Sequence, residues 1–182
     1  LILYDLKDLH KLPLMIGVSV CEALKEFNFK LKLKWPNDII LNDKKIGGIL
    51  CESKNINNVK TVVIGLGMNI NEKVDDFPDN LRKRAISLSM VSNKTFQRER
   101  VLAKILNHFE KNLDLLKEKN LELFKNWKSF CNHINKEVTF HNNNVNVAGR
   151  FINISDEGNA IIEINNKQKA FSSGIVEINN SI

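Results

Sequence analysis

Hydrophobic and polar positions follow two different periods along the chain. Apolar residues recur at helical spacing from Leu14 to Phe27 and from Phe96 to Glu118, which predicts two helices that each pack one face on a core. A further helix is predicted from Leu121 to Phe130. Elsewhere the apolar runs are short and separated by Asn, Asp, Gly and Pro, a pattern that is typical of strands and turns.

The first half of the chain predicts a sheet. Its strands are expected at Leu31–Lys34, Ile39–Leu41, Ile46–Glu52 and Thr61–Ile70, and Ile2–Tyr4 has the pattern of a strand end. The second and third of these strands form a predicted hairpin across Asn42-Asp-Lys44. The fourth is apolar throughout, so we expect it to be buried on both faces in the middle of the sheet.

The pattern changes near residue 134, where short strands separated by turn-forming residues indicate a small β-barrel or sandwich that packs on the preceding part. The predicted strands are Glu137–His141, Val145–Ile154, Ala160–Ile164, Gln168–Phe171 and Ile175–Ile178. The sequence therefore predicts an α+β protein. Residues 1–133 form one domain, a mixed β-sheet with packed helices, and residues 134–182 form a second, all-β domain.

Composition narrows the class of protein. Hydrophobic residues make up 43% and charged residues 26%, which is typical of a soluble globular chain. The net charge is +6, but Arg is scarce and there is one Tyr, so nucleic-acid binding is disfavoured. The longest uncharged apolar run, Leu12–Cys21, is too short to cross a membrane. The 3 Cys are an odd number for a disulfide framework, which favours a reducing, cytoplasmic compartment. The 3 Cys and 4 His show no metal-ligand spacing, so no metal site is expected.

The first stretch that can carry chemistry is Lys34-Trp-Pro-Asn-Asp38, followed by Lys44–Glu52. A rigid proline turn can hold an ammonium group at a fixed place, and Asn and Asp at a strand break point polar groups away from the sheet. Gly47-Gly48 in an apolar strand indicates a β-bulge or the close approach of a ligand to the backbone, beside Lys45. The alternative is a hairpin with a bulge and solvated lysines.

The second stretch is Gly65-Leu-Gly-Met-Asn-Ile-Asn71. Glycine at position 65 can let a ring system approach the backbone, and the Asn69 amide can donate to and accept from an adenine edge. The GxG does not match a dinucleotide fingerprint, because no third glycine or helix follows. The alternative is a core strand with a polar end.

Together these blocks resemble the biotin protein ligases, also called biotin–acetyl-CoA-carboxylase ligases. Lys34–Asp38, Lys45–Leu50 with Glu52, and Val63–Asn71 stand in the family's order and near its spacing. The resemblance covers essentially all of the chain. It implies a class II synthetase-like catalytic domain followed by an SH3-like β-barrel.

The resemblance also implies a reaction in two steps. Biotin and ATP, with Mg²⁺, give biotinyl-5'-AMP and pyrophosphate, and the biotinyl group then passes to one lysine of a biotin carboxyl carrier protein. No protein nucleophile is needed, because the mixed anhydride is already activated. The implied partners are the carrier protein, biotin and ATP, with no nucleic acid and no membrane, and both monomers and homodimers occur in the family.

Site residues follow from the same resemblance. Lys45, Lys34 and Asp38 match the catalytic positions, with Lys45 at the biotin carboxyl and Lys34 near the phosphates. The implied positions for binding biotin and nucleotide are Asn37, Gly47, Gly48, Gly65, Gly67 and Asn69. Among these, Asn69 matches the asparagine that reads adenine.

Two departures from the family pattern matter. The family's glycine- and arginine-rich loop, which covers the adenylate, lies upstream of a strand that Ile2–Tyr4 resembles, and it is not in this sequence. Because the sequence begins at Leu1, we expect it to be part of a longer chain. Near the end, Ile175 stands after Gly174 where the family commonly has an acid. The alternatives to a biotin ligase are a lipoate ligase of the same fold class and a catalytically inactive remnant that binds a ligand or a partner.

Overall fold

The fold combines two antiparallel sheets with helices packed against the first. The computed structural model describes residues 11–56, 59–118, 122–142 and 145–179. The helices are α1 (Leu12–Lys25), α2 (Leu88–Ser92), α3 (Arg98–Lys117) and α4 (Glu122–Phe130). The strands are β1 (Lys32–Lys34), β2 (Asp38–Leu41), β3 (Lys44–Ile56), β4 (Val59–Met68), β5 (Glu137–Asn142), β6 (Val145–Ile154), β7 (Ala160–Ile164), β8 (Lys167–Phe171) and β9 (Ile175–Ile178). The predicted strand end at Ile2–Tyr4 lies outside the described residues.

Helix α1 is the centre of the first part. Pro13 lies in its first turn, where a missing N–H is tolerated, and nearly every later position is buried. Gly17 brings the helix close to the sheet, because a Cβ there would lie 3.0 Å from the Leu33 side chain. The helix ends at Lys25, and the turn that follows reaches Asn28, which takes a left-handed φ of 66°. The predicted helix is confirmed, and it begins and ends two residues earlier than expected.

The first sheet has the order β1-β2-β3-β4, and all three described pairings are antiparallel. The predicted hairpin between β2 and β3 is confirmed. Asn42 and Asp43 both take positive φ, 49° and 58°, as a two-residue turn between twisted strands requires. Isolated parallel bridges at Leu33 with Cys131 and at Lys45 with Ala85 join other segments to this sheet.

Strand β4 differs from the expectation. Val62 is 1% exposed and Val63 is 61% exposed, so the predicted burial on both faces is wrong in this structure. The apolar run misled because two of its members, Gly65 and Gly67, have no side chain to bury. Within the described residues β4 pairs with β3 alone, so a place in the middle of the sheet is not shown.

The helices α3 and α4 are confirmed near their predicted bounds, whereas α2 was not predicted. Five residues are too few to show helical periodicity. Its end signals are nevertheless present in the sequence: the Ser87 hydroxyl accepts a hydrogen bond from the Met90 amide, and Asn93 ends the helix with a φ of 54°.

The second sheet has the order β8-β7-β6-β5-β9, and its five predicted strands are confirmed to within one residue. Its inner face is fully buried around Phe140 and Phe151. Asn165 and Asn166 make the β7–β8 turn with φ of 50° and 60°. One continuous cluster of buried side chains joins this sheet to α1 and the first sheet. The predicted α+β class is therefore confirmed.

No helix among the described residues has both the length and the apolar character needed to cross a membrane.

Candidate active site

One face of the β3–β4 hairpin is poor in side chains. Paired across it are Gly48 with Gly67, Leu50 with Gly65, and Glu52 with Val63, and these six residues are called the bare face below. A Cβ at Gly67 would meet nothing within 4 Å, and one at Gly65 would meet only Leu50, at 3.8 Å. The opposite face of the same strands packs Ile49 and Val62 into the core. The bare face is therefore an open, flat surface onto which a ring system can be laid.

A β-bulge turns Lys45 toward this surface. Ile39 pairs with Gly47 but Ile40 pairs with Lys45, so Ile46 is the extra residue of β3. The bulge is held from outside the hairpin, because the Lys45 amide donates to the Arg84 carbonyl at 2.8 Å and its carbonyl accepts from the Ile86 amide at 3.1 Å. The lysine backbone is thus fixed on both sides.

The Lys45 side chain lies over the backbone of Gly48. A Cβ at Gly48 would be 3.4 Å from both Cε and Nζ of Lys45, at the near limit of van der Waals contact, so the ammonium group lies directly over this residue. The side chain is 54% exposed, so its charge also faces solvent. The bulge that the sequence offered as one explanation of the glycine pair is therefore present next to Gly47, and the close approach of a ligand to the backbone stays a prediction.

Asp38 lies between two ammonium groups. One carboxylate oxygen pairs with Lys45 Nζ, and the other is 3.3 Å from Lys34 Nζ. The Asp38 side chain is only 18% exposed, which limits screening of this cluster by solvent. The structure thus brings together all three residues of the predicted catalytic set, at one end of the bare face.

Asn37 holds the turn in place. Its side-chain amide donates to the Ile49 carbonyl at 2.8 Å, and its own carbonyl accepts from the Ile49 amide at 3.0 Å. These two bonds fasten the β1–β2 turn to β3, next to the cation cluster. The predicted contact of Asn37 with the nucleotide stays a prediction, and in this structure its amide serves the backbone.

Asn69 lies just beyond β4 and also bonds to backbone. Its amide nitrogen donates to the Ile86 carbonyl at 3.0 Å, and its backbone amide donates to the Ile46 carbonyl at 2.8 Å. A primary amide has a second hydrogen and a carbonyl oxygen, so one such bond leaves the pair that an adenine edge would need. The hydrogen bond to Ile86 gives Asn69 a structural role, which the sequence analysis had named as the alternative to adenine binding.

Gly47 is placed apart from the other predicted binding residues. It is buried on the core face of β3, and a Cβ there would lie 2.6 Å from the carbonyl oxygen of Gly67. No real Cβ tolerates that distance, so packing alone explains this glycine. The structure does not bring Gly47 to the bare face.

The cysteines lie away from the cation cluster or on the core side. Burial raises the pKa of Cys51 and of Cys131 to about 11 and raises that of Cys21 further. All three are therefore thiols rather than thiolates at neutral pH. Among the described residues, no three His, Cys, Asp or Glu side chains converge as metal ligands.

Known proteins share this arrangement of sequence and fold. The Biotin/lipoate A/B protein ligase family matches residues 3–69, and the biotin protein ligase C-terminal domain matches residues 133–178. The biotin protein ligase of Aquifex aeolicus is 31% identical, with a TM-score of 0.83 over 94% of this chain and 76% of that one. A second structure of that enzyme, in complex with biotin and ATP, has the same identity and TM-score over 97% of this chain and 74% of that one.

A curated relative gives the same class. The bifunctional ligase/repressor BirA of Bacillus subtilis is 33% identical over 171 residues, which are 92% of this chain and 53% of the relative. The chain therefore spans about half the length of the curated relatives it matches. The fold and both sequence matches define a biotin- or lipoate-type protein ligase, and the chain belongs to the biotin protein ligase family.

Proposed function

We propose that the protein containing this chain is an ATP-dependent biotin protein ligase. It activates biotin as biotinyl-5'-AMP and transfers the biotinyl group to a lysine of the biotin carboxyl carrier protein of acetyl-CoA carboxylase. The observation that carries this proposal is the Lys45 ammonium group, held by a bulge over Gly48 at the end of a bare, flat face. The Aquifex aeolicus relative in complex with biotin and ATP supports the choice of substrates.

In the first step a carboxylate oxygen of biotin attacks the α-phosphorus of ATP, and the bond to pyrophosphate breaks. Two anions must approach each other, and negative charge grows on the phosphoryl oxygens. Cations that are fixed before the reaction stabilise that charge without having to reorganise. Lys45 meets the carboxylate and α-phosphate oxygens in this proposal, and Lys34 adds positive potential on the phosphate side.

Asp38 has a supporting part in the same step. Without ligand its single negative charge is shared by the two lysines, so the cluster keeps a net positive charge, and the two ion pairs hold both ammonium groups near one point. Anionic substrates then share these cations. The carboxylate thus sets where the charges stand, as positioning residues in preorganised sites do.

The bare face supplies the room for both ring systems. Gly48, Gly65 and Gly67 leave the backbone open for the biotin and adenylate rings, and Asn69 offers its unused amide atoms to the adenine edge. In the second step the amine of the carrier lysine attacks the acyl carbon, forms an amide, loses a proton and releases AMP. No cysteine or hydroxyl of this chain forms a bond in either step.

Magnesium enters as part of the nucleotide substrate in this proposal. Mg²⁺ prefers several oxygen ligands and usually keeps waters and phosphate oxygens around it. The cation cluster offers one carboxylate, Asp38, and both of its oxygens already face ammonium groups. This donor set suits Mg²⁺ carried on ATP phosphates and does not suit a dedicated protein cage.

Three further expectations stand as proposals beside the activity. We place the domain boundary at residues 133 and 134, where the match to the C-terminal domain begins. We propose a cytoplasmic location, and a monomer or homodimer as in the family.

Exchange of labelled pyrophosphate into ATP tests the proposed function. In the natural full-length protein, exchange should depend on biotin and should not be supported by lipoate, which separates the two ligases of this fold class. Biotin transfer to the carrier domain should follow. No exchange with either acid, in a protein shown to be folded, would favour the inactive remnant.

A further inference from the structure

Trp35 connects the cation cluster to the second sheet. It lies in the β1–β2 turn between Lys34 and Asp38, yet it is only 2% exposed. Its indole N–H donates to the backbone carbonyl of Gly158, 3.1 Å away and 123 residues further along the chain. The residue that sits inside the catalytic turn is therefore fastened to the C-terminal β-domain.

The acceptor of this hydrogen bond is itself fixed. Gly158 belongs to the β6–β7 turn, which is closed by bonds from the Gly158 amide to the Ser155 carbonyl at 2.9 Å and from the Ser155 amide to the Asn159 carbonyl at 2.9 Å. Its φ is +83°, and a Cβ would lie 2.9 Å from Leu14 in α1. The Gly158 residue thus lies close to the first turn of α1, and its carbonyl faces Trp35.

The indole ring is held from the same side. Its centroid lies 6.3 Å from that of Phe140, which is fully buried in the second sheet. A buried indole N–H needs an acceptor, and a buried carbonyl needs a donor. The bond between Trp35 and Gly158 satisfies both groups. Asn37, two residues further, then carries the constraint to Ile49 of β3.

We propose that Trp35 is a positioning residue, through which the C-terminal β-domain fixes the Lys34–Asp38–Lys45 cluster for adenylation. The inference rests on the proposed function for its chemical consequence, but its structural part stands alone. Trp35 touches no reacting atom. Trp35 fixes the position of the β1–β2 turn. The position of this turn sets where Asp38 holds the ammonium groups of Lys34 and Lys45.

Hydrogen exchange tests the structural part. Trp35→Phe removes the N–H donor and keeps an aromatic ring, and Trp127→Phe is the matched control, because Trp127 is equally buried at the domain junction. The Ile49 amide reports on the turn, since it donates to the Asn37 carbonyl, and the Ser89 amide, bonded to the Ile70 carbonyl at 2.9 Å, is the reference. Trp35→Phe should speed Ile49 exchange about fivefold, the equivalent of one ordinary hydrogen bond, and leave Ser89 unchanged.

Equal acceleration at Ile49 and Ser89, or the same pattern in Trp127→Phe, would mean a general loss of stability and would overturn the proposal. If Trp35→Phe does not fold, Gly158→Ala serves in its place, because a φ of +83° is strained for a residue with a Cβ and a shift of this backbone moves the carbonyl that Trp35 bonds. The same exchange pattern is expected from it.

Kinetics tests the chemical part in the natural full-length protein. Trp35→Phe should lower kcat of biotin-dependent pyrophosphate exchange by about fivefold or more, while KM for biotin and ATP stays within about twofold, because cations aimed at developing charge act mainly on the transition state. Trp127→Phe should leave kcat unchanged. An unchanged kcat in Trp35→Phe would overturn the proposal. If the parent itself shows no exchange, the proposed function fails, and the hydrogen-exchange comparison alone decides this inference.

Discussion

On the bare face of the first sheet Gly48, Gly65 and Gly67 have no side chains, whereas on the opposite face Ile49 is buried close to Gly17 of α1. The two faces alternate along the same two strands. At the end of the bare face Lys34, Asp38 and Lys45 are charged and paired, and their side chains are 18–54% exposed. On the packed side, which includes the core behind these strands, the buried polar side chains are neutral: Ser19, Ser87, Asn112 and His133. The comparison shows that the role of a glycine or of a charged residue in these strands depends on whether it lies on the bare face or on the packed face.

The largest effect is expected on the bare side, at Lys45. Lys45→Ala should lower the rate of adenylate formation by about 10²–10³, as loss of one group aimed at developing charge does. Folding should be unaffected, because the side chain is 54% exposed. Pyrophosphate exchange measures the rate, with Lys44→Ala, the preceding lysine in the hairpin, as the control. A rate within about threefold of the parent, small beside that loss, would make Lys45 a solvated lysine.

Two glycines test the comparison directly. Gly47→Ala should lower the free energy of unfolding by about 1–3 kcal/mol, because its Cβ would press on the Gly67 backbone. Gly67→Ala should leave stability unchanged or raise it slightly, since its Cβ meets nothing within 4 Å. The same Gly67 variant should weaken biotin or ATP binding, since one added methyl group in a ligand site costs about 1–3 kcal/mol.

Chemical denaturation and calorimetry measure the two quantities on both variants. The assignment of Gly47 to packing and of Gly67 to ligand binding would be contradicted if Gly67→Ala were the destabilised variant, or if Gly47→Ala alone lost ligand affinity.

Asn69 combines a proposed contact with adenine and a structural hydrogen bond to the Ile86 carbonyl. Asn69→Ala should weaken ATP binding by roughly tenfold, within the range of one lost bidentate contact to a base edge, and spare biotin binding. It should also lower stability by about 1 kcal/mol, because the Ile86 carbonyl loses its donor.

Asn71→Ala is the control for Asn69→Ala. The Asn71 side chain makes two bonds to the Phe96 backbone, so this variant should lose stability without losing ATP affinity. A parallel loss of ATP and biotin affinity in Asn69→Ala would end the adenine assignment.

The smallest effect concerns His133 on the packed side. Burial, aided by the charges of Lys34 and Lys136, lowers the pKa of His133 from 6.5 to about 3. The folded protein therefore keeps this histidine neutral while the unfolded chain takes up a proton below pH 6.5. Its contribution to stability is complete above pH 6.5 and is lost as the pH falls toward 3.

Lowering the pH from 7 to 5.5 should thus remove about 1 kcal/mol of stability through His133. Denaturation of the parent and of His133→Gln across this range measures the difference. An equal dependence on pH in both proteins would show that His133 is not the group responsible.

The sequence predicted the helices, strands and turns better than it predicted which of their faces are buried. The hairpin at Asn42 and the Asn165-Asn166 turn were predictable because turn chemistry is local. The faces of β4 were not, since a run that includes glycine looks apolar whether or not a core covers it.

For the candidate site, the resemblance named Lys45 and Asp38, but their common ion pair with Lys34 depends on a bulge and on a turn fixed elsewhere. The partner of Trp35 lies 123 residues away, so no local pattern could have predicted it. Likewise, neighbouring residues of a strand alternate faces, but only the fold shows that Gly48 rather than Gly47 lies on the bare face.

The central claim is that the bare face binds the adenylate, and nuclear magnetic resonance tests it most directly. A non-hydrolysable analogue of biotinyl-5'-AMP is added to the natural full-length protein with ¹⁵N-labelled glycine. The account predicts large chemical-shift changes of the Gly48, Gly65 and Gly67 amide resonances, while the amide resonance of Gly149, within the second sheet, is unchanged. Saturable binding that shifts Gly149 and leaves the three bare-face glycines unchanged would contradict it.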